Sequence, residues 1–212
     1  MAHLTGLNPG ASGRAAGLDW MQMLSGLFLA LFMLLHTFFI ASVIFGAKAF
    51  DSLAGFFEST YLAQIGGVFI GLVFLFHFVL AARKIPFTSR EQAVVSRHAL
   101  LIMHADTWMW VVQAVSGMLV LLMGSVHMWV LLNDLPITAE KSVHLMHQGL
   151  WVWFYLLFVF LVFAHLGAGI YRIGVKWGFI RRFNRAGMKK AVFIATILFI
   201  LLDLVSLCIF YF

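Results

Sequence analysis

Residues 142–171 read SVHLMHQGLWVWFYLLFVFLVFAHLGAGIY, thirty consecutive residues without an Asp, Glu, Lys or Arg. About 20 apolar residues are enough for a helix to cross the roughly 30 Å of hydrocarbon in a bilayer. The window therefore predicts a membrane-spanning helix. One residue in it does not suit lipid, because the imidazole of His165 costs free energy in hydrocarbon unless a partner satisfies it.

The composition extends this interpretation to the whole chain. Apolar residues make up 63% of the 212 residues and charged residues only 10%, whereas soluble domains are typically about 25% charged. The single Cys208 excludes an intramolecular disulfide. We expect an all-α integral membrane protein that forms one domain with five spans, at about residues 20–47, 61–82, 107–133, 142–171 and 191–212.

The basic residues predict the orientation. Twelve of the fourteen Lys and Arg residues lie before the first span or in the loops that follow the second and fourth spans, and only Lys48 and Lys141 lie elsewhere. Residues 1–19 lack the apolar core of a signal peptide. We therefore expect the chain in the cell inner membrane with its N-terminus in the cytoplasm. The basic loops either only orient the chain in the membrane or also bind a cytoplasmic protein. Nucleic-acid binding is not expected, because no known nucleic-acid-binding motif accompanies these residues.

Four of the nine histidines lie well inside predicted spans, at two depths. His77 and His165 lie about 10 Å from the cytoplasmic edge, while His36 and His127 lie about 24–28 Å into the membrane. Each pair comes from two different helices. Two bis-imidazole pairs in a helix bundle are what two six-coordinate haems require. A single buried histidine is more often a helix–helix hydrogen-bonding residue, and a transporter with a histidine proton relay is the alternative from another class.

Glycines support the haem hypothesis. The relevant pairs, each ten residues apart, are Gly26 with His36, Gly67 with His77 and Gly117 with His127. Ten helical residues span about 15 Å, which is the separation of the two histidine layers. Each of these helices would thus present a surface without side chains at the level of the other haem.

Six stretches that cover nearly the whole chain carry a family resemblance: LDWMQ (18–22), GLFLALFMLLHTFF (26–39), FHFVLAARKIP (76–86), HADTWMWVVQ (104–113), GSVHMW (124–129) and GIYRIGVKWGF (169–179). They resemble the di-haem cytochrome b subunit of quinol:fumarate reductase, in the succinate:quinone oxidoreductase superfamily. The resemblance implies five membrane helices, four of which enclose two haems b. It also implies a membrane anchor that oxidises menaquinol near the outer face and passes electrons to a cytoplasmic head.

The resemblance implies partners and haem ligands as well. The head would contain a flavoprotein with FAD that reduces fumarate to succinate, or runs in reverse, and an iron–sulfur subunit. The complex would be a heterotrimer or a dimer of heterotrimers. His77 and His165 would hold the haem nearer the cytoplasm, and His36 and His127 would hold the distal haem.

The resemblance further places polar contacts to the proximal haem propionates at Gln22, Trp110 and Lys176. Arg172 and Lys176 return to within about 20° of the His165 face of a helix. A cation on that face can pair with a propionate carboxylate. The alternative for Lys176 is an interfacial anchor whose ammonium reaches out of the membrane.

Glu58, in GFFEST after the first span, matches the glutamate of the family's menaquinol-oxidation site. Quinol oxidation releases two protons, so a carboxylate within reach of the hydroxyl is the expected base. The chain departs from the resemblance at Phe163, where the resemblance implies a glutamate in a proton route along the bundle. Asp203 in the fifth span is a candidate replacement relay, because an intramembrane carboxylate is a functional hypothesis by default. A neutral Asp203 in an interhelical hydrogen bond is the other interpretation.

A di-haem anchor of another dehydrogenase, such as a hydrogenase or a formate dehydrogenase, is the second haem-based hypothesis. The catalytic heads of those enzymes sit on the outer, periplasmic side of the membrane. The basic loops on the cytoplasmic side therefore favour the fumarate reductase hypothesis.

Overall fold

The computed structural model of the chain describes residues 9–86, 88–181 and 184–212, and these residues contain helices but no β-strand. The α-helices are α1 (Pro9–Ala41), α2 (Ala47–Ser59), α3 (Leu62–Ala82), α4 (Ser89–Ile102), α5 (Ala105–Asn133), α6 (Ala139–Met146), α7 (Trp151–Lys176) and α8 (Arg185–Tyr211). A short 3-10 helix, Ser42–Phe45, joins α1 to α2.

Five of these helices, namely α1, α3, α5, α7 and α8, are long and apolar enough to cross a membrane. This confirms the predicted all-α fold with five candidate spans. Many of their large apolar side chains are exposed, as expected for helices that face lipid. The helices also extend into the basic loops, because α7 continues to Lys176 and α8 begins at Arg185.

The window at residues 142–171 folds as two helices rather than the one that its composition predicts. Helix α6 ends at Met146 and α7 begins at Trp151. Between them Gly149 has a φ of +53°, in the left-handed region that glycine tolerates best. A window without charges shows that a segment is apolar, but it does not show where a turn interrupts it.

The four helices that carry the intramembrane histidines form a ring. Helix α1 packs against α3, α3 against α5, α5 against α7, and α7 makes a smaller contact with α1. Helix α8 lies outside this ring and packs against α7 and α1. The ring therefore encloses the space toward which two pairs of histidines can point.

A cluster of apolar side chains closes the end of the bundle that holds α2 and α6. Phe50 is 1% exposed, stacks on Phe39 at 4.9 Å and meets Phe210 of α8 at 5.3 Å between ring centroids. A hydrogen bond of 2.7 Å from the Ala139 backbone N–H to the Asp51 carboxylate joins α6 to α2. These contacts hold the short helices against the end of the bundle.

Candidate functional site

His36 of α1 and His127 of α5 face each other inside the bundle. Their ring centroids are 6.0 Å apart, and the ring planes are inclined by 74°. A bond from a metal to an imidazole nitrogen is about 2.0 Å long, so two axial imidazoles on one metal have centroids about 6 Å apart. The separation of the two rings is therefore compatible with a haem iron held from both sides.

His77 of α3 and His165 of α7 form the second pair, at the level of Gly26 and Gly117. Each ring packs against a glycine of a neighbouring helix. A methyl group on Gly26 would lie 2.9 Å from Cε1 of His77, and one on Gly117 would lie 2.8 Å from Cε1 of His165. Side chains do not pack this closely, so a larger residue at either position would displace the imidazole.

These two glycines lie at the level that the ten-residue spacing predicts. Gly26 shares α1 with His36 and Gly117 shares α5 with His127, yet both contact histidines of the other pair. Gly67 behaves differently, because a methyl group there would meet the Leu132 side chain at 2.8 Å.

Hydrogen bonds select the ring nitrogen of His165 that is free to bind metal. Nδ1–H of His165 donates to the Gln113 backbone carbonyl at 2.9 Å, and Oγ of Ser116 lies 3.4 Å from the same nitrogen. A carbonyl only accepts hydrogen bonds, so Nδ1 carries the proton and Nε2 keeps the lone pair. Metal-binding histidines are commonly oriented by such a bond from their other ring nitrogen.

His77 and His127 have equivalent partners. The Ser25 hydroxyl donates to the Met21 carbonyl at 2.8 Å, which leaves its oxygen to accept from Nδ1–H of His77 at 3.0 Å. Nδ1 of His127 lies 3.0 Å from the Tyr155 hydroxyl. The bond to Ser25 leaves Nε2 of His77 free for a metal ion, and Nε2 of His127 is free when Nδ1–H donates to the tyrosine hydroxyl. The donor set therefore fits two bis-histidine haems.

One end of the bundle carries a strongly basic cluster around Asp19. The Asp19 carboxylate pairs with Arg83, with Lys84 at 2.6 Å and with Lys176 at 2.5 Å. Partial burial lowers the pKa of Lys84; the Asp19 carboxylate opposes this shift, and the nearby charges of Lys176 and Arg83 add to it. Three cations share a single carboxylate, so the cluster has an excess of positive charge that further carboxylates can neutralise.

The other predicted propionate contacts lie near the same end. The guanidinium of Arg172 donates to the side-chain carbonyl of Gln113, the residue whose backbone carbonyl binds His165. The side-chain carbonyl of Gln22 is buried and has no hydrogen-bond partner in the described part of the chain. Trp110 on α5 is half-buried.

Glu58 lies in the last turn of α2 and is half-buried. Its carboxylate accepts a hydrogen bond of 3.0 Å from the Gln64 side-chain amide, in the first turn of α3. It lies at the same end as the cluster that α2 and α6 form, opposite the basic cluster.

Phe163 and Asp203 lie on either side of the contact between α7 and α8. Phe163 is 1% exposed and stacks on Phe199 of α8, with ring centroids 5.9 Å apart. One turn further along α8, the Asp203 carboxyl lies beside the Thr37 hydroxyl of α1. One oxygen of Asp203 and the Thr37 hydroxyl are buried without a hydrogen-bond partner among the described residues. Phe163 thus makes this part of the interface apolar, and the nearby acidic residue, Asp203, lies on α8.

Several site residues are absent from the prediction, although part of their signal is visible in the sequence. Ser25 and Ser116 stand immediately before Gly26 and Gly117, so a Ser–Gly pair precedes each of two histidines by the same interval. This repeated pair marks the contact with His77 and His165. Tyr155 and Gln64 have no comparable signal. The packing of separate helices brings Tyr155 to His127, and the turn between α2 and α3 brings Gln64 to Glu58.

Comparisons with known proteins place this chain in one family. The family model described as "Succinate dehydrogenase/Fumarate reductase transmembrane subunit" matches residues 89–203. The fumarate reductase cytochrome b subunit of Helicobacter pylori is 32% identical over 206 residues, which cover 91% of this chain and 79% of the relative. The corresponding subunit of Wolinella succinogenes is 31% identical over 204 residues, covering 90% of this chain and 80% of the relative. The succinate dehydrogenase cytochrome b558 subunit of Bacillus subtilis is 25% identical over 166 residues, covering 76% and 78%.

The fold and the site define a multi-pass helical membrane protein with two intramembrane histidine pairs. The chain belongs to the family of succinate dehydrogenase/fumarate reductase transmembrane subunits. It is accordingly a cytochrome b type membrane anchor and a subunit of a quinol:fumarate oxidoreductase complex.

Proposed function

We propose that this chain oxidises menaquinol near the outer membrane face and passes the electrons through two haems b to a cytoplasmic head that reduces fumarate. The observation that carries the proposal is the pair of histidine layers inside one ring of helices. Bound haems would supply one-electron transfer, while the protein supplies ligation, orientation and electrostatics.

The proposed ligands follow the observed pairs. His77 and His165 would hold the proximal haem, and His36 and His127 would hold the distal one. The Nδ1 hydrogen bonds of three of these histidines orient the rings and make Nε2 a better donor to iron.

The basic cluster would bind the carboxylates of the proximal haem. Arg83, Lys84 and Lys176 surround Asp19, and two propionates would neutralise the remaining charge of this group. Gln22 supports the same position, because a water that bridges to a propionate would satisfy its buried carbonyl.

The partner subunits would bind at the basic end. By the positive-inside rule this end faces the cytoplasm, with the N-terminus on that side of the inner membrane. An iron–sulfur subunit beside the proximal haem would receive electrons, and a flavoprotein subunit with FAD would carry out the fumarate chemistry. The similar Helicobacter and Wolinella proteins are both named fumarate reductase subunits, which favours this cytoplasmic head over one on the periplasmic side.

Purification of the complex through a tag on this chain tests the proposal. We expect a flavoprotein and an iron–sulfur protein to copurify, and a reduced-minus-oxidised spectrum to show two haems b per chain. Fewer than two haems per chain, or copurification of a metalloprotein from the periplasmic side, would contradict the proposal. A complete lack of haem would instead favour the transporter hypothesis.

We further propose that Asp203 takes part in proton movement, because Phe163 cannot carry a proton at the position where the family resemblance implies a glutamate. In proteoliposomes that couple quinol oxidation to fumarate reduction, we expect wild type and Asp203→Asn to develop different membrane potentials per fumarate reduced. A potential-sensitive dye measures the difference. The matched control is Ser206→Ala, which alters a buried hydroxyl on the same helix that donates to the Leu202 carbonyl. Equal potentials in wild type and Asp203→Asn would leave Asp203 with a structural role only.

A further inference from the structure

The contact between Glu58 and Gln64 has a defined polarity. An ionised carboxylate only accepts hydrogen bonds, so the NH₂ group of Gln64 must face Glu58, as the 3.0 Å bond shows. The Gln64 carbonyl is therefore turned away from Glu58. It is buried and has no hydrogen-bond partner within the described residues. A buried carbonyl without a partner is unusual and calls for a donor that binds there.

The turn between α2 and α3 creates this arrangement. Tyr61 adopts a φ of +57°, and the turn at Thr60 and Tyr61 places the last turn of α2 beside the first turn of α3. The turn therefore brings the two side chains, six positions apart in the sequence, within hydrogen-bond distance.

A shallow and widely open apolar groove begins at Gln64 and follows the exposed face of α3 into the membrane. Its remaining lining residues, on successive turns of one helix face, are Ile65, Val68, Phe69 and Leu72. Gly71, next to the inner end of the groove, packs against the Met128 side chain. Met128 directly follows His127, so the groove reaches the depth of the distal histidine pair.

We propose that Gln64 is a positioning residue of the quinol site. Its NH₂ group holds one carboxylate oxygen of Glu58, which leaves the other oxygen for the quinol, and its carbonyl accepts a hydrogen bond from a quinol hydroxyl. The groove takes the isoprenoid tail of the same molecule. This inference rests on the proposed function, in which Glu58 receives the quinol proton.

The hydrogen-bonding pattern gives the site a preference for the reduced carrier. A carboxylate and an amide carbonyl are both acceptors, and a quinol presents hydroxyl donors to them. The oxidised quinone has only carbonyl acceptors, so it leaves both protein groups unsatisfied while Glu58 is ionised. A site that is built to bind a hydroxyl discriminates strongly against the analogue that lacks it.

Kinetics of the intact complex test this assignment with Gln64→Leu, which removes the amide and keeps a similar volume. We expect kcat/KM for quinol oxidation to fall about 10- to 100-fold, the usual effect of losing a hydrogen bond to a charged group. The inhibition constant of the oxidised quinone should change much less, which a merely structural role would not predict. Gln64→Asn, which keeps the amide, should recover part of the activity.

The control is Gln148→Leu, the same substitution at an exposed residue of the loop between α6 and α7. Haem content and viologen-driven fumarate reduction should be unchanged in all three variants. Wild-type quinol kinetics in Gln64→Leu, as expected if the groove holds only a lipid chain, would overturn the inference. An equal loss in Gln148→Leu, or an equal loss of quinol and quinone affinity in Gln64→Leu, would overturn it too.

The outcome is separable from that of the proposed function. If Glu58→Gln is inactive and Gln64→Leu is normal, only the role of Gln64 fails. If Glu58→Gln oxidises quinol normally, the location of the quinol site fails first.

Discussion

Glu58→Gln is expected to abolish quinol-driven fumarate reduction, with a fall of at least about 100-fold, the range that general base catalysis contributes. The amide cannot accept the proton that the quinol hydroxyl loses. The substitution keeps the size of the side chain, so α2 and α3 should pack as before. Both haems should be retained, and fumarate reduction driven by a viologen dye, which bypasses the quinol site, should remain at the wild-type rate.

The matched control for this experiment is Glu140→Gln. Glu140 is an exposed residue in the first turn of α6, at the same end of the bundle as Glu58. The Glu140→Gln variant should oxidise quinol at the wild-type rate. Normal activity of Glu58→Gln would refute its assignment as the proton acceptor, and loss of a haem in this variant would make the defect structural.

His127→Leu is expected to reduce the haem content from two to one per chain and to stop electron transfer from quinol. The iron of a bis-histidine haem is held by two axial imidazoles, so removing one of them weakens the binding of that haem. The pyridine haemochrome assay gives the haem content, and a redox titration shows which component is missing. The exposed His144 of α6 offers a control, because His144→Leu should retain both haems.

The same titration tests the pairing of the ligands. His36→Leu should remove the component that His127→Leu removes, since the two rings face each other at 6.0 Å. His77→Leu and His165→Leu should remove the other component. If His36→Leu and His77→Leu removed the same haem, the proposed pairing would be wrong.

Much of the architecture could be predicted from residue types and their intervals along the chain. Hydrocarbon accepts only long apolar helices, so five charge-poor windows were enough to indicate five spans. The rise per residue of a helix likewise converts intervals into depths, which placed Gly26 at the level of His77 and Gly117 at the level of His165. Both results follow from periodic geometry within single helices.

Features that depend on turns were not predictable in the same way. His147, Gln148 and Gly149 are uncharged and continue the apolar window, yet the chain turns there between α6 and α7. Lys176 was predicted at a haem propionate, and the fold places it beside Asp19, a residue 157 positions earlier. Charge counts along the chain do not reveal such pairs.

The sequence by itself determined that this protein has five helices long and apolar enough to span a membrane and carries histidines at two levels, because length, hydropathy and helical rise act within each segment. Only the tertiary structure decided which nitrogen of His165 stays free, which amide holds Glu58 and which carboxylate gathers the cations. Each of those choices requires side chains from different helices to meet within about 3 Å. Such meetings depend on how the helices pack and turn, and no interval along a single helix records them.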